Sequence, residues 1–311
     1  MKLKIAIYGF GRLGRAVFTV ASHRRDIDVV AVYAEQSLAE AVNQLQQDPV
    51  YAAVERDITV DDDALVVNGH ETFFVPKAGP RIWEDHNVDI VIDCLSLRAS
   101  NAVAKRHLLA GAKRVVFAGE GAVDETVILG YNEDALKGDY MAISCGGAIA
   151  NATKPVIDIL HKAFGVESSM VVTVSGGGAC SSSGCECGDS CKCDKDCGCQ
   201  QSELPDVLAA PIQTASLSII TALVTKKPTV TKVNDALMQA AKTTYYQGIV
   251  AVADDELPGD AVIGESVSAL IEAAETDVVD KLVNVNIWSD HEWGYANRIV
   301  EVTADYGKAI R

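Results

Sequence analysis

The cysteines of this chain are concentrated in one short segment. Seven of the nine lie within twenty residues, in CSSSGCECGDSCKCDKDCGC, which we call the cysteine segment. It holds no Val, Ile, Leu, Met or aromatic residue, so burial of apolar surface cannot offset the entropy that it loses on ordering. Closely spaced thiolates bind soft cations, which favours Zn²⁺ or Cu⁺, with an iron–sulfur cluster less favoured. The candidate ligands are Cys180, Cys185, Cys187, Cys191, Cys193, Cys197 and Cys199.

Composition and charge restrict the function classes. The 311 residues are 49% hydrophobic, which is enough for two domains with buried cores. A net charge of −16 argues against nucleic acid and anionic membranes as partners, since both need a basic face. Without a signal pattern or a membrane-spanning stretch, the sequence predicts a cytoplasmic protein. Cysteines stay reduced there, which favours metal binding over a metal-free loop or a disulfide-bonded one.

A second motif opens the chain. The apolar strand Lys2–Tyr8 runs into Gly9-Phe10-Gly11-Arg12-Leu13-Gly14, followed by a helical pattern at Arg15–His23 and a strand at Asp28–Tyr33. A G-x-G-x-x-G turn between a strand and a helix is typical of dinucleotide sites. Its glycines permit a tight turn and close backbone approach to a pyrophosphate, which then faces the N–H groups of the helix start.

The elements that must position these motifs divide the chain in two. Up to Ala148, buried strands alternate with helical segments, which predicts a doubly wound parallel sheet of the Rossmann type. The later part is richer in alternating strands and predicts an α+β domain with a mostly antiparallel sheet. The cysteine segment is inserted in this second domain. The expected boundaries are 1–147 with 297–311 for the first domain and 148–296 for the second, with 176–205 as the cysteine-rich loop.

Several stretches, taken in order along the chain, carry a family resemblance. They are IAIYGFGRLGR at Ile5–Arg15, HLLAGAKRVVF at His107–Phe117, GYN at Gly130–Asn132, IS…N…P over Ile143–Pro155, and WSDHEWGYANR at Trp288–Arg298. These stretches resemble the glyceraldehyde-3-phosphate / erythrose-4-phosphate dehydrogenase family, and the resemblance covers nearly the whole chain except 176–205. It implies an α/β fold of these two domains, a bound NAD or NADP, and a homo-oligomer, either dimer or tetramer.

The resemblance also implies which residues would do the chemistry. Family members carry a cysteine at the start of the helix after the Rossmann domain, where the helix N-terminus lowers the thiol pKa. That thiol adds to an aldehyde, and the adduct loses hydride to the nicotinamide. Matched without gaps, the nucleophile's position holds Ala148 and the histidine base's position holds Ser175. A pairing shifted by three residues would make Cys145 the nucleophile. Around Pro211–Thr214 there is no arginine for a substrate phosphate.

The implied cofactor site is altered as well. The acid that holds the adenosine ribose would stand at Ala34, with Glu35 one place later. Neighbouring side chains of a strand point to opposite faces, so Glu35 can substitute only if the strand has ended. The asparagine that holds the nicotinamide amide matches His291. Weak binding, tolerance of NADP and no binding all stay open. The candidate dinucleotide contacts are Gly9, Phe10, Gly11, Arg12, Leu13, Gly14, Glu35, Ser96 and His291.

Three functions follow from these observations. The first is a pseudoenzyme of this fold that keeps a dinucleotide pocket and binds soft metal ions through a metallothionein-like segment. The second is an active NAD(P)-dependent dehydrogenase of an aldehyde or sugar phosphate, with Cys145 or another thiol as its nucleophile. The third is a metal- or redox-responsive regulator in which metal and nucleotide binding are coupled.

Overall fold

The fold was obtained as a computed structural model. It describes residues 2–47, 58–61, 64–67, 69–75, 79, 81–96, 98–175, 214–258 and 260–308. The cysteine segment and the predicted loop around it therefore lie outside the described residues. Of Ser175, which ends a strand, we describe the backbone alone.

The first sheet has nine strands among the described residues, in the order β10-β11-β8-β6-β1-β2-β5-β4-β3. All its pairs are parallel except β3–β4 and β4–β5, which are antiparallel. A small two-stranded sheet, β7 with β9, lies apart from it. The strands are β1 Leu3–Tyr8, β2 Ile27–Tyr33, β3 Ile58–Asp61, β4 Ala64–Val67, β5 His70–Val75, β6 Ile90–Asp93, β7 Ala99–Ser100, β8 Arg114–Phe117, β9 Gly121–Ala122, β10 Glu125–Thr126 and β11 Ala142–Ser144.

Within the described ranges, the second sheet contains five strands in the order β12-β13-β16-β15-β14, and its pairs are antiparallel except β14–β15. A parallel sheet followed by a mostly antiparallel one confirms the predicted fold class. Its strands are β12 Val166–Ser175, β13 Ala215–Val224, β14 Val250–Ala253, β15 Ala269–Val279 and β16 Leu282–Asp290.

Six α-helices lie in the described part of the chain and pack on the two sheets. The helices α1, α2 and α3 belong to the first sheet, whereas α4 and α5 cover the inner face of the second. The last helix, α6, follows β16 and returns to pack against α1. They are α1 Arg12–Ser22, α2 Leu38–Gln46, α3 Asn101–Leu109, α4 Ala148–Phe164, α5 Val230–Ala241 and α6 Trp293–Lys308, with one 3-10 helix at Glu133–Lys137.

The apolar run Thr126–Leu129 has the composition of a strand, but strand pairing ends at Thr126. Asn132 reaches back instead: its amide donates to the Thr126 carbonyl (2.8 Å), and its Oδ1 accepts from the Ile128 N–H (2.7 Å). Val127 and Ile128 are buried without further strand pairing. An apolar run therefore predicted burial here but not the backbone conformation.

Candidate functional site

The glycine turn lies between β1 and α1, as its sequence predicts. Gly9 has φ +102°, and a Cβ there would lie 2.7 Å from the Leu95 Cβ. A Cβ on Gly14 would lie 2.0 Å from the Gly9 carbonyl oxygen, so both positions need glycine. Gly11 has no neighbouring atom within 4 Å of such a Cβ, which leaves its outer side open.

The start of α1 suits a phosphate. Gly11 is its N-cap and makes no side-chain capping bond, so the first N–H groups of the helix are free of that partner. The side chains of Phe10 and Leu13 pack into the core, Phe10 against Phe18 and Phe74. The backbone of these two residues, rather than their side chains, is thus available to a ligand. Open space at Gly11 and an uncapped helix start together fit a dinucleotide pyrophosphate.

An ion pair joins the glycine turn to the start of α6. Arg12 Nε lies 3.2 Å from Glu292 Oε1, and the Glu292 side chain is almost fully buried. Asp290 fixes the start of α6, because its Oδ1 accepts the N–H groups of Glu292 and Trp293, each at 2.9 Å. These contacts hold the turn that carries His291 beside the glycine turn.

His291 lies between β16 and α6, partly buried. Its Nδ1 is 3.1 Å from Ser216 Oγ, and its backbone N–H donates to the Thr214 carbonyl at 3.0 Å. Burial and the Arg12 cation lower the pKa of the imidazole, although the Asp290 carboxylate opposes them. His291 is therefore neutral near pH 7 and offers a hydrogen-bonding nitrogen to a polar ligand group such as an amide.

At the adenosine end of the predicted site, Ala34 stands at the position of the family acid and Glu35 follows it. Strand β2 ends at Tyr33, and Ala34 is buried with its N–H donated to the Val75 carbonyl at 3.3 Å. Glu35 comes after the strand and is exposed, which meets the condition for it to replace the family acid. Tyr8 stacks on Tyr33 with ring centroids 4.5 Å apart. Burial raises the pKa of Tyr8, and the nearby Glu35 carboxylate adds to that rise.

Ser96 follows β6 and turns toward its own strand. Its Oγ donates to Asp93 Oδ2 at 2.6 Å, and its N–H donates to Asp93 Oδ1 at 2.8 Å. Leu95 beside it supplies the backbone that approaches Gly9. The carboxyl ends of β1, β2 and β6 are thus neighbours in the sheet, and they bring Gly9, Glu35 and Ser96 to one edge.

The predicted reaction centre lies at the start of α4. Ala148 is the first residue of the helix, and the N-cap Gly147 makes no side-chain capping bond. Three hydrogen bonds hold the turn that precedes the helix. Asn151 Nδ2 donates to the carbonyls of Cys145 (2.8 Å) and Gly147 (2.9 Å), and the Tyr295 hydroxyl donates to the Gly146 carbonyl. The helix therefore presents a methyl group where the family resemblance implies a thiol.

Of the two described cysteines, Cys145 is buried and Cys94 is partly buried. Cys145 is 0% exposed, and its side chain belongs to the core. Burial raises the pKa of both thiols, and the Asp93 carboxylate adds to the rise for Cys94. A buried protonated thiol is a poor nucleophile, because only the thiolate attacks.

Ser175 ends β12 and is the cross-strand partner of Ser216. Ser216 in turn contacts His291. The chain thus leaves β12 and re-enters the sheet at β13 beside His291. Sequence reasoning placed Ser175 and His291 in separate motifs, and the strand register brings them to the same end of the sheet.

The predicted metal ligands of the cysteine segment lie outside the described residues. Within the part of the chain that is described, no three His, Cys, Asp or Glu side chains are grouped to hold a metal ion. No helix among the described residues has the length and apolar character needed to cross a membrane.

Two family models and several curated proteins are similar to this chain. Residues 3–100 match the family model "Glyceraldehyde 3-phosphate dehydrogenase, NAD binding domain", and residues 207–291 match "Glyceraldehyde 3-phosphate dehydrogenase, C-terminal domain". Similar curated proteins include glyceraldehyde-3-phosphate dehydrogenase from Thermotoga maritima, 30% identical over 96% of this chain and 97% of the relative. The Geobacillus stearothermophilus enzyme of that name is 30% identical over 98% of both chains. Glyceraldehyde-3-phosphate dehydrogenase 2 from Bacillus subtilis is 29% identical over 97% of this chain and 96% of its own.

Proposed function

The chain belongs to the glyceraldehyde-3-phosphate dehydrogenase family and carries its NAD-binding domain, and from this premise we propose that it has lost the family's thiol chemistry. In this proposal it is a pseudoenzyme that binds a dinucleotide and holds soft metal ions through the cysteine segment.

One observation carries the proposal: the start of α4 offers no thiol. Ala148 is the first helical residue, and the nearest alternative along the chain, Cys145, is fully buried with a raised thiol pKa. For Cys145 to attack a carbonyl, the turn held by Asn151 and Tyr295 would have to open. A helix start activates a thiol at its own end, not one buried beneath it.

The proposal also accounts for the missing general base. Ser175 stands at the base's position, and a serine hydroxyl does not titrate near neutrality. His291 contacts Ser216, the cross-strand partner of Ser175, and we assign it a hydrogen bond to the carboxamide of a bound nicotinamide. Its lowered pKa supports this, because a neutral imidazole can either donate to or accept from an amide.

For the dinucleotide, the open N–H groups at the start of α1 would hold the pyrophosphate and Glu35 would hold the adenosine ribose. A bound nicotinamide can accept a hydride, but no residue at the start of α4 prepares a substrate to give one. Support for retained binding comes from the glycine turn, where Gly9 and Gly14 are sterically required and Gly11 is open.

The metal proposal stands on the donor set of the cysteine segment. Two tetrahedral zinc ions that share one sulfur need seven thiolates, which is the number present. The flanking strands support a location next to the dinucleotide site, because Ser175 and Ser216 are cross-strand partners and Ser216 contacts His291.

Turnover is the direct test of the pseudoenzyme. We expect the protein, given glyceraldehyde 3-phosphate, phosphate and NAD⁺ or NADP⁺, to form reduced cofactor at least about 10⁴-fold more slowly than the Thermotoga maritima relative assayed beside it. Nucleophile and base are both missing, and each alone costs several orders of magnitude. Absorbance of the reduced cofactor is the measurement. A rate near the relative's would refute the proposal.

The second candidate, an active dehydrogenase, is favoured by the names of the relatives, which are glyceraldehyde-3-phosphate dehydrogenases along nearly their whole length. A matched variant separates the two functions. Cys145→Ala should leave any residual rate unchanged if the protein is a pseudoenzyme. Turnover that exists in the wild-type protein and disappears in Cys145→Ala would instead establish Cys145 as the nucleophile.

We further propose that the outer face of the second sheet is covered by a second copy of this chain. The face is apolar: Met170 and Val172 on the edge strand β12 are 61% and 49% exposed, and Leu282 on β16 is 42% exposed. Val171, between the first two, packs into the core, so alternation along the strand turns its neighbours outward. A flat apolar face can pair with itself around a two-fold axis.

Charges on this face should separate the subunits. We expect Met170→Asp with Val172→Asp to convert an oligomer into single chains, because the two carboxylates would be buried without partners in the interface. Light scattering after size-exclusion chromatography gives the mass. Val60→Asp, at an exposed position (50%) of the first sheet, is the control and should leave the mass unchanged. A wild-type protein that is already monomeric would contradict the proposal.

A further inference from the structure

A chain of buried polar side chains lies behind the loop that follows β6. Trp83 Nε1 donates to His107 Nδ1 at 3.1 Å, and His107 Nε2 lies 3.2 Å from Asp93 Oδ2. Asp93 also receives both the N–H and the Oγ of Ser96. The Asp93 side chain is 0% exposed and that of His107 is 7% exposed, so these bonds are shielded from water.

The Trp83 indole determines which nitrogen of the His107 ring carries the proton. An indole N–H can only donate, so His107 Nδ1 must accept, and the ring proton of the neutral imidazole is on Nε2. That proton points at Asp93. Burial works against a charged Asp93, but the hydrogen bonds from His107 and Ser96 outweigh it and lower the pKa of the carboxyl. Asp93 therefore stays a carboxylate that can accept every bond offered to it.

This carboxylate holds the backbone that packs on the glycine turn. Asp93 Oδ1 accepts the N–H of Leu95 at 3.0 Å in addition to that of Ser96. The Leu95 backbone is what a Cβ on Gly9 would strike, at 2.9 Å from its nitrogen. Tyr8, the last residue of β1, is the register partner of Asp93. The centroid of its ring lies 4.8 Å from that of the His107 ring. The position of the glycine turn is thereby tied to the orientation of one buried carboxylate.

We propose that Trp83 and His107 are positioning residues for the dinucleotide site, because they orient Asp93 and through it the loop at Leu95–Ser96 against Gly9. This inference depends on the proposed dinucleotide binding. Neither side chain contacts the ligand. Their effect is to keep the crevice at the carboxyl ends of β1 and β6 in its binding conformation before the ligand arrives, which spares the cost of ordering it on binding.

Substitutions of His107 test the proposal on the full-length protein, with NAD⁺ itself as the probe in isothermal titration calorimetry. In His107→Leu, Asp93 keeps its charge but loses its buried donor, and we expect the Kd for NAD⁺ to rise about tenfold or more. In His107→Gln, an amide can donate to Asp93 and accept from Trp83, and we expect the Kd to stay within about threefold of the wild-type value.

Two further variants separate positioning from general stability. Trp83→Phe keeps an aromatic ring but frees the imidazole to change tautomer, so the Kd should rise while the fold is retained. Thr72→Val removes another buried hydrogen bond, to the Val29 carbonyl (2.7 Å), three strands away in the same sheet. Unfolding in urea should show it destabilised, with its Kd for NAD⁺ unchanged.

Each outcome bears on either the positioning role or the dinucleotide binding on which it depends. Wild-type binding that persists unchanged in both His107→Leu and Trp83→Phe overturns the positioning role and leaves the proposed function standing. Equal losses of affinity in His107→Leu and Thr72→Val mean a structural role only and overturn it as well. A wild-type protein that does not bind NAD⁺ at all refutes the dinucleotide proposal and this inference together.

Discussion

Protein purified under anaerobic, reducing conditions and offered zinc should hold about two zinc ions per chain, and replacement of all seven cysteines of the cysteine segment by serine should remove nearly all of them. Serine has almost the same shape as cysteine but is not a thiolate, so the change removes the ligands and little else. Elemental analysis by mass spectrometry measures the metal content. Offered Cu⁺, the protein should load more ions, because Cu⁺ takes fewer ligands.

The remaining two cysteines provide the matched control. Cys94→Ala with Cys145→Ala removes the two thiols outside the cysteine segment, and burial raises the pKa of both. Their loss should leave the metal content unchanged. Equal metal content in the seven-serine variant and the wild-type protein would contradict the prediction, and so would a wild-type protein that stays empty when offered zinc, copper and iron.

We expect a large effect because, in the proposed site, metal binding would itself order the segment. With no apolar side chain to bury, the segment has no other source of free energy to offset its chain entropy. Binding also displaces protons from the thiols, so the metal content should fall as the pH is lowered. The wild-type protein and the double-alanine control, which keeps all seven cysteines of the segment, should therefore lose metal in parallel on acidification.

The sequence predicted those parts of the fold and site whose cause is local. The glycine turn is such a part, since Gly9 has a positive φ and a Cβ on Gly14 would strike the Gly9 carbonyl oxygen within the same strand–turn–helix unit. The start of α4 at Ala148 is another, because the helical pattern and the preceding glycines mark it. The role open to Glu35 depends on where β2 ends, and β2 ends at Tyr33, as the predicted strand Asp28–Tyr33 does.

The parts that were missed depend on contacts between distant segments. Trp83, His107 and Asp93 have no common spacing, and only the packing of α3 beside β6 joins them. The nearness of Ser175 to His291 arises from strand register in the second sheet. Strand β15 and the outward apolar face of the second sheet were likewise not identified, because partly exposed alternation resembles an ordinary surface strand.

A thiol introduced at the start of α4 should be reactive where the native buried thiols are not. We expect Ala148→Cys, made in the seven-serine variant, to react with iodoacetamide at pH 7 about a hundredfold faster than Cys94 or Cys145. Residue 148 is partly buried at a helix N-terminus, whose dipole favours the thiolate, whereas Cys145 is 0% exposed. Mass spectrometry of the native protein locates and times each modification, and the two native thiols should react only after unfolding.

Position on the helix is the variable that the control isolates. Ala240→Cys places a thiol in a partly buried site in the last turn of α5, where the helix dipole disfavours the thiolate. It should react slowly under the same conditions. Similar rates at 148 and 240 would show that exposure alone sets the reactivity, and rapid native-state modification of Cys145 would revive the active-dehydrogenase function.

The charge of Glu120 allows a second test in the same experiment. A Cβ on Gly147 would lie 3.0 Å from Glu120 Oε1, so this carboxylate faces the turn that begins α4. A negative charge beside a thiol raises the pKa of that thiol and opposes the helix dipole. Glu120→Gln added to Ala148→Cys should therefore increase the alkylation rate further at pH 7. An unchanged rate would show that the carboxylate does not act on this position. An increase would show that Glu120 destabilises a thiolate at the start of α4, which is the anion that the family's chemistry requires.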